Sequence, residues 1–131
     1  MAGEHDLQRL LTGMAPERVP GTYVFVTVPG PDVPAGLVPF ATVREDEGLT
    51  LVVLREEADR LGLSYDCLAA RITLRVHSAL AAVGLTAAFS TALAGAGISC
   101  NVLAGYHHDH LFVAEDDADR ALAVLEGLTR A

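Results

Sequence analysis

The sequence predicts an α+β fold of two tandem ferredoxin-like βαββα units, with a mixed, mostly antiparallel sheet and helices on one face. Three observations point there. Short β-branched runs bounded by glycine, proline or acidic turns alternate with amphipathic helical stretches. A strand–helix segment of the first half returns in the second at a constant offset of 60 residues. A strand followed by a helix and another strand needs a right-handed crossover, and a hairpin partner then runs antiparallel to the second strand.

Taken in order, His5 to Thr12 forms a short helix whose Leu7, Leu10, Leu11 and Met14 share a face, with Gly13 and Pro16 stopping it. Tyr23 to Val28 is apolar, β-branched and bounded by Pro-Gly on both sides, which predicts a strand. Residues 29–37, PGPDVPAGL, are too rich in proline and glycine for a helix and form a loop. Phe40 to Arg44 and Leu49 to Leu54 read as a hairpin around the polar turn EDEG. A short helix then begins at Glu56, its acids placed at the positive end of the helix dipole, and ends at Gly62.

The second half opens with Ile72, Leu74 and Val76 alternating with Arg71, Thr73 and Arg75, a strand with one wet or carboxylate-covered face. Leu85, Phe89, Leu93 and Ala96 recur at helical spacing, and Gly95 and Gly97 end that helix. Ile98 to Tyr106 is apolar at odd and even positions, which predicts a central strand. Asp109 closes a tight turn into the strand Leu111 to Ala114. The last helix, Asp116 to Thr129, turns Ala118, Leu122 and Leu125 inward.

The repeat pairs LVVLREEADR at 51–60 with LFVAEDDADR at 111–120. Leu51, Val53, Ala58, Asp59 and Arg60 recur as Leu111, Val113, Ala118, Asp119 and Arg120. The expected division is therefore 1–65, a unit that has lost its crossover helix, and 66–131, a unit that keeps it.

The 131 residues are half hydrophobic and carry a net charge of −8. That balance supports a core and argues against nucleic acid or an anionic membrane as partner. All nine basic residues are Arg, which excludes a Schiff-base or P-loop lysine. The N-terminus lacks the basic and apolar regions of a signal peptide, and no stretch matches a membrane span, so a cytoplasmic location is expected.

The run from Ile72 to Leu125 resembles an ACT domain, the small regulatory module of amino-acid metabolism. The likeness rests on the strand, then VGLTAAFSTALAGAGISCNVLAGY, then a hairpin strand and a helix. As a whole the chain is similar to a small bacterial group with two tandem ACT-like units and no attached enzyme. It departs from the family pattern in two places: the first unit lacks its helix, and no strand follows the last helix. The other unit or a second chain would then supply a strand.

The junction at Val83, Gly84, Leu85 and Thr86 is the best candidate for a small-molecule site. A helix N-terminus offers unpaired N–H groups and a positive dipole end to a carboxylate. Gly84 allows a tight turn, Thr86 caps the helix or binds, and Asn101 supplies a donor and an acceptor for an ammonium or amide. The resemblance implies an amino-acid site formed by His77, Ser78, Val83, Gly84, Leu85, Thr86, Ser99 and Asn101. It implies a regulatory binding protein with no catalytic residues, cofactor or metal, and an incomplete sheet favours a homodimer.

Other chemistry has weaker support in the sequence. HHDH at 107–110 offers His107, His108, Asp109 and His110 as zinc or nickel ligands by type, but a hairpin turn scatters them. Cys67 and Cys100 follow no CxxC spacing and read as small buried hydrophobes. Ser78 and Ser90 stand in no nucleophile-elbow context, and His77 beside Ser78 points the opposite way along a strand. The acidic runs EDE and EDD lack EF-hand spacing. The alternatives are an interaction module without ligand and, further off, a metal protein or enzyme built on HHDH.

Overall fold

A computed structural model describes residues 7–75 and 84–130. Two compact units form: residues 21–69, and residues 70 onward together with the segment ending at Pro20. Packing thus cuts the chain elsewhere than the sequence repeat does.

In the unit of residues 21–69, the second part of β1 (Pro16–Val28) pairs antiparallel with β3 (Gly48–Leu54), from Tyr23 opposite Leu54 to Val28 opposite Leu49. On its other side β3 pairs antiparallel with β2 (Ala41–Glu45). The strand order is β2-β3-β1. Between β1 and β2 the chain has no helix, as the proline-rich sequence predicts. After β3, α2 (Arg55–Arg60) carries Glu56 and Glu57 in its first turn. It ends at Gly62, whose φ of 69° is a left-handed conformation that costs glycine little. Gly62 N–H reaches the Asp59 carbonyl and Leu63 N–H the Ala58 carbonyl, the paired bonds of a Schellman cap. Val24, Val26, Val28, Leu49, Leu51, Val53 and Ala58 form the core, and the crossover loop adds Leu37.

In the other unit the same order recurs as β4-β6-β5, with the first part of β1 beside β4. β4 spans Ala69–Leu74, α3 Leu85–Gly95, β5 Cys100–Ala104 and β6 Asp109–Ala114. A 3₁₀ turn at Glu115–Asp117 leads into α4 (Ala118–Thr129). The α3 end repeats the Schellman cap: Gly97 N–H bonds the Ala94 carbonyl and Ile98 N–H the Leu93 carbonyl. The core joins Ile72 and Leu74 of β4 to Leu85, Phe89 and Leu93 of α3 and Leu125 of α4.

Three expectations are corrected. β1 begins at Pro16, not Tyr23, and its first part takes the place that a strand after α4 would take. Glu17 there pairs with Arg75 at 2.5 Å, Arg18 with Asp119 at 3.1 Å, and Ala15 accepts the Arg75 N–H. Met14, just ahead of it, is 1% exposed within the core, and α1 (Leu7–Gly13) leads into it. Second, β5 is shorter than Ile98–Tyr106 and ends its strand order rather than lying centrally. Its apolar residues serve two faces: Cys100 and Val102 pack on the core, whereas Leu103 stands opposite His110. Third, Asp109 does not close the turn but begins β6, and the reversal occupies residues 105–108, tied by Gly105 N–H to the His108 carbonyl.

The sequence repeat reappears as contacts. Arg60 bonds Glu57 at 2.7 Å and the Gly36 carbonyl at 2.9 Å. Arg120, sixty residues on, bonds Asp117 at 3.0 Å and the Ala96 carbonyl at 2.8 Å. Each guanidinium ties the first helical turn after a hairpin to the end of the crossover. In both copies a left-handed glycine and a buried aliphatic residue follow or flank that carbonyl: Gly36 with Leu37, Gly97 with Ile98.

Candidate functional site

The start of α3 is built by Gly84, the N-cap, at φ 111° and ψ −27°. A side chain there would be strained, so this backbone turn depends on glycine. Its carbonyl accepts the Ala88 N–H at 2.7 Å, the first full helical bond. Leu85 is buried and ties the helix start into the core with Phe89 and Leu93. Thr86 points outward and is exposed. Gly84 holds the N-cap position, so Thr86 does not act as the N-cap, and among the described residues no side chain caps this N-terminus. First-turn N–H groups without a side-chain acceptor are the donors an anion uses.

Ser99 and Asn101 are exposed, at the far end of the helix. Eleven residues of α3 span roughly 16 Å at 1.5 Å per residue. Asn101 also stands opposite Phe112, on the sheet face away from the helices, since the adjacent Leu111 and Val113 are the core residues. Gly84, Leu85 and Thr86 are therefore brought together, and Ser99 and Asn101 form a separate group. His77, Ser78 and Val83 lie outside the described residues.

The HHDH segment divides as alternation demands. His107 is exposed in the turn, its ring 5.1 Å from Tyr106 and 6.2 Å from His108. Asp109 and His110 take opposite faces of β6. Burial pushes the Asp109 carboxyl up, against the pull of nearby His108. Among the described residues no group of three or more His, Cys, Asp or Glu is set to hold a metal. Cys100 is half-buried, and burial pushes its thiol up, away from a reactive thiolate; Cys67 is exposed rather than a buried hydrophobe.

One polar grouping escaped the sequence expectations. Thr73, only 1% exposed, lies 3.0 Å from His110 through its hydroxyl and Nδ1. Burial, then Arg71, His108 and Arg75, hold the His110 imidazole below its ordinary range. The alternation of Arg71, Thr73 and Arg75 was the visible signal; their partner on β6 was not.

Comparison with known proteins agrees with this architecture. An ACT domain model matches residues 2–70 and a second ACT domain model matches residues 70–127. The chain belongs to the ACT domain family and carries two such domains in tandem. A Vibrio cholerae protein of unknown function, described as a possible transport protein, is 50% identical. Its crystal structure superposes with a TM-score of 0.84 over 94% of this chain and 95% of that one. An Agrobacterium tumefaciens protein is 19% identical, with a TM-score of 0.73 over 87% of each chain. The ligand-free regulatory subunit of aspartate kinase from Thermus thermophilus shares the fold at 10% identity, with a TM-score of 0.66 over 88% of this chain and 97% of that one. No curated protein matches the chain. ACT domains are regulatory ligand-binding modules, and among the described residues no helix is long and apolar enough to cross a membrane.

Proposed function

We propose that the protein is a non-catalytic regulatory binder of a small molecule, most simply an amino acid, working in the cytoplasm. The observation that carries this is the start of α3: a glycine-dependent turn followed by a helix N-terminus that no side chain caps among the described residues. An amino-acid carboxylate suits those N–H groups. Leu85 fixes their position, and Thr86 is exposed beside them. The proposed site keeps His77, Ser78, Val83, Gly84, Leu85, Thr86, Ser99 and Asn101.

Because α3 separates Thr86 from Ser99 and Asn101, one ligand touches both groups only if a second surface supplies one of them. We assign that surface to a second copy of the chain, giving a homodimer. The two sequence halves, 1–65 and 66–131, are taken as copies of one ancestral unit. Regulation then requires the ligand to prefer one packing of units over another. Thermal-shift measurements with each of the twenty amino acids at millimolar concentration test the proposal. Stabilisation by one or a few related amino acids is expected, and no response to any of them sinks the amino-acid version. Light scattering after size exclusion checks the dimer.

A further inference from the structure

The segment that precedes residues 21–69 in the chain is built into the other unit. There α1 lies against α3 and α4, Leu11 packs on the core, and Met14 is wholly inside it. The Ala15 carbonyl accepts the Arg75 N–H, and the first part of β1 lies beside β4. Alternation then sends neighbouring side chains to opposite faces. Glu17 meets Arg75 on one face at 2.5 Å, and Arg18 meets Asp119 of α4 on the other at 3.1 Å. Without this arm, β4 would present unpaired N–H and C=O groups along an open edge, and the core would lack the Met14 side chain. The unit thus holds an acceptor for an extended strand. What it accepts is specific: an apolar residue for the core, then an acid and a base three and four residues on. A slip of one residue sets Glu17 against Asp119 or Arg18 against Arg75, like charge on like.

The joint that ties the arm to the rest of the chain has no slack. β1 runs unbroken from Pro16 to Val28, while the boundary between the units falls between Pro20 and Gly21. Pro16 and Pro20 fix their own φ at values that extended chain adopts, so the arm keeps a strand-like form when it is undocked. Gly21 has φ 104°, and a Cβ there would meet the Leu54 side chain at 2.8 Å, so the chain passes this point only as glycine. Short joints between a packed arm and its own body invite exchange of the arm between copies.

We propose that two copies of the chain exchange these arms, residues 7–20 of each occupying the β4 edge and the Met14 position of the other in a two-fold dimer. The occupant is a second copy because the acceptor's charges, Arg75 on one face and Asp119 on the other, match the Glu17–Arg18 pair that such a copy carries. Arm and acceptor are unchanged by the exchange, so every contact between them is kept and only the joint at Pro20 and Gly21 opens. The inference rests on the homodimer reading above and supplies its interface.

The test is cross-linking of the full chain after isotope mixing. Arg18→Cys and Asp119→Cys replace the exposed ion pair in a Cys67→Ser, Cys100→Ala background. Unlabelled and isotope-labelled chains are unfolded together in urea in equal amounts, refolded and treated with a short bismaleimide. Mass spectrometry then reads the linked peptide pairs that contain positions 18 and 119. Exchange predicts pairs of mixed isotope, rising with protein concentration toward half of the total. Pairs of a single isotope at every concentration overturn the proposal. A short glycine insertion between Pro20 and Gly21 should lower the mixed share severalfold, because slack lets each arm return to its own body. A mixed share that the insertion leaves unchanged would place the contact between unexchanged chains and overturn the proposal as well. Single-isotope pairs in a chain that light scattering finds dimeric refute the exchange alone, whereas a monomer refutes the homodimer reading. Thermal shifts with amino acids report on the ligand site separately.

Discussion

Arg60 and Arg120 make matching contacts sixty residues apart, each bonding an acid three residues earlier and the carbonyl that ends the preceding crossover. Around them the two ACT domains agree in strand order and in the buried Leu51–Val53–Ala58 and Leu111–Val113–Ala118 positions. They differ in what covers the sheet. One crossover is α3, which places Leu85, Phe89 and Leu93 in its core. The other is a loop that contributes Leu37 alone. The junction that fixes the fold is kept in both copies, while the element that offers a ligand a helix N-terminus survives in one. The proposed binding site accordingly belongs to the copy with α3.

That comparison can be broken by mutation. The largest effect is expected for Phe89→Ala, which removes a ring with no exposure from the α3 core and should cost about 3–5 kcal/mol by urea denaturation. Leu37→Ala removes the sole buried side chain that the loop crossover gives its core, and should cost about 2–3 kcal/mol. Equal costs would mean that loop and helix cover their sheets equally well. Next come Gly62→Ala and Gly97→Ala, at φ 69° and 77° with open space around the added Cβ. Each should lose about 1 kcal/mol from backbone conformation alone, and a large difference between them would show that more than the left-handed φ sets the cost. Arg60→Ala and Arg120→Ala should each lower the melting temperature slightly and by similar amounts.

The smallest expected effect is the pH dependence that His110 and Asp109 give the α3 copy. His110 has a folded pKa below its ordinary value of 6.5. Its contribution is present above that value and is lost as pH falls from there through the folded pKa. His110→Gln should flatten that limb of a stability-versus-pH curve. Asp109 acts with the opposite sign, since a raised carboxyl pKa favours the folded state below its unfolded value and loses that contribution as pH rises through the folded one.

Most of the fold was legible because its signals are local. β-Branched runs, two glycine caps and an acidic helix start named the elements, and the offset of 60 tied Arg60 to Arg120 before any contact was visible. The first part of β1 was not legible, since Pro16, Pro20 and Gly21 all read as punctuation. Within its unit that segment has β4 as its single neighbour, and an edge position tolerates a residue without an N–H. The misplacement of β5 has a similar origin: apolar residues on both faces suggest a central strand, yet here one set meets the core and the other lies beside His110. For the site, sequence located the Gly84 turn through glycine and helical periodicity. It could not show that Asn101 stands at the other end of α3 and on the other face of the sheet, because that separation follows from crossover direction and register.

The most direct test of the central claim is hydrogen exchange on the full chain with and without an amino acid that raises its melting temperature. The account predicts added protection in the first turn of α3 and at residues 99–101, lost with Thr86→Val and Asn101→Ala, and little change at residues 29–40 of the other copy. Protection confined to residues 29–40, or no stabilising amino acid at millimolar concentration, would contradict it.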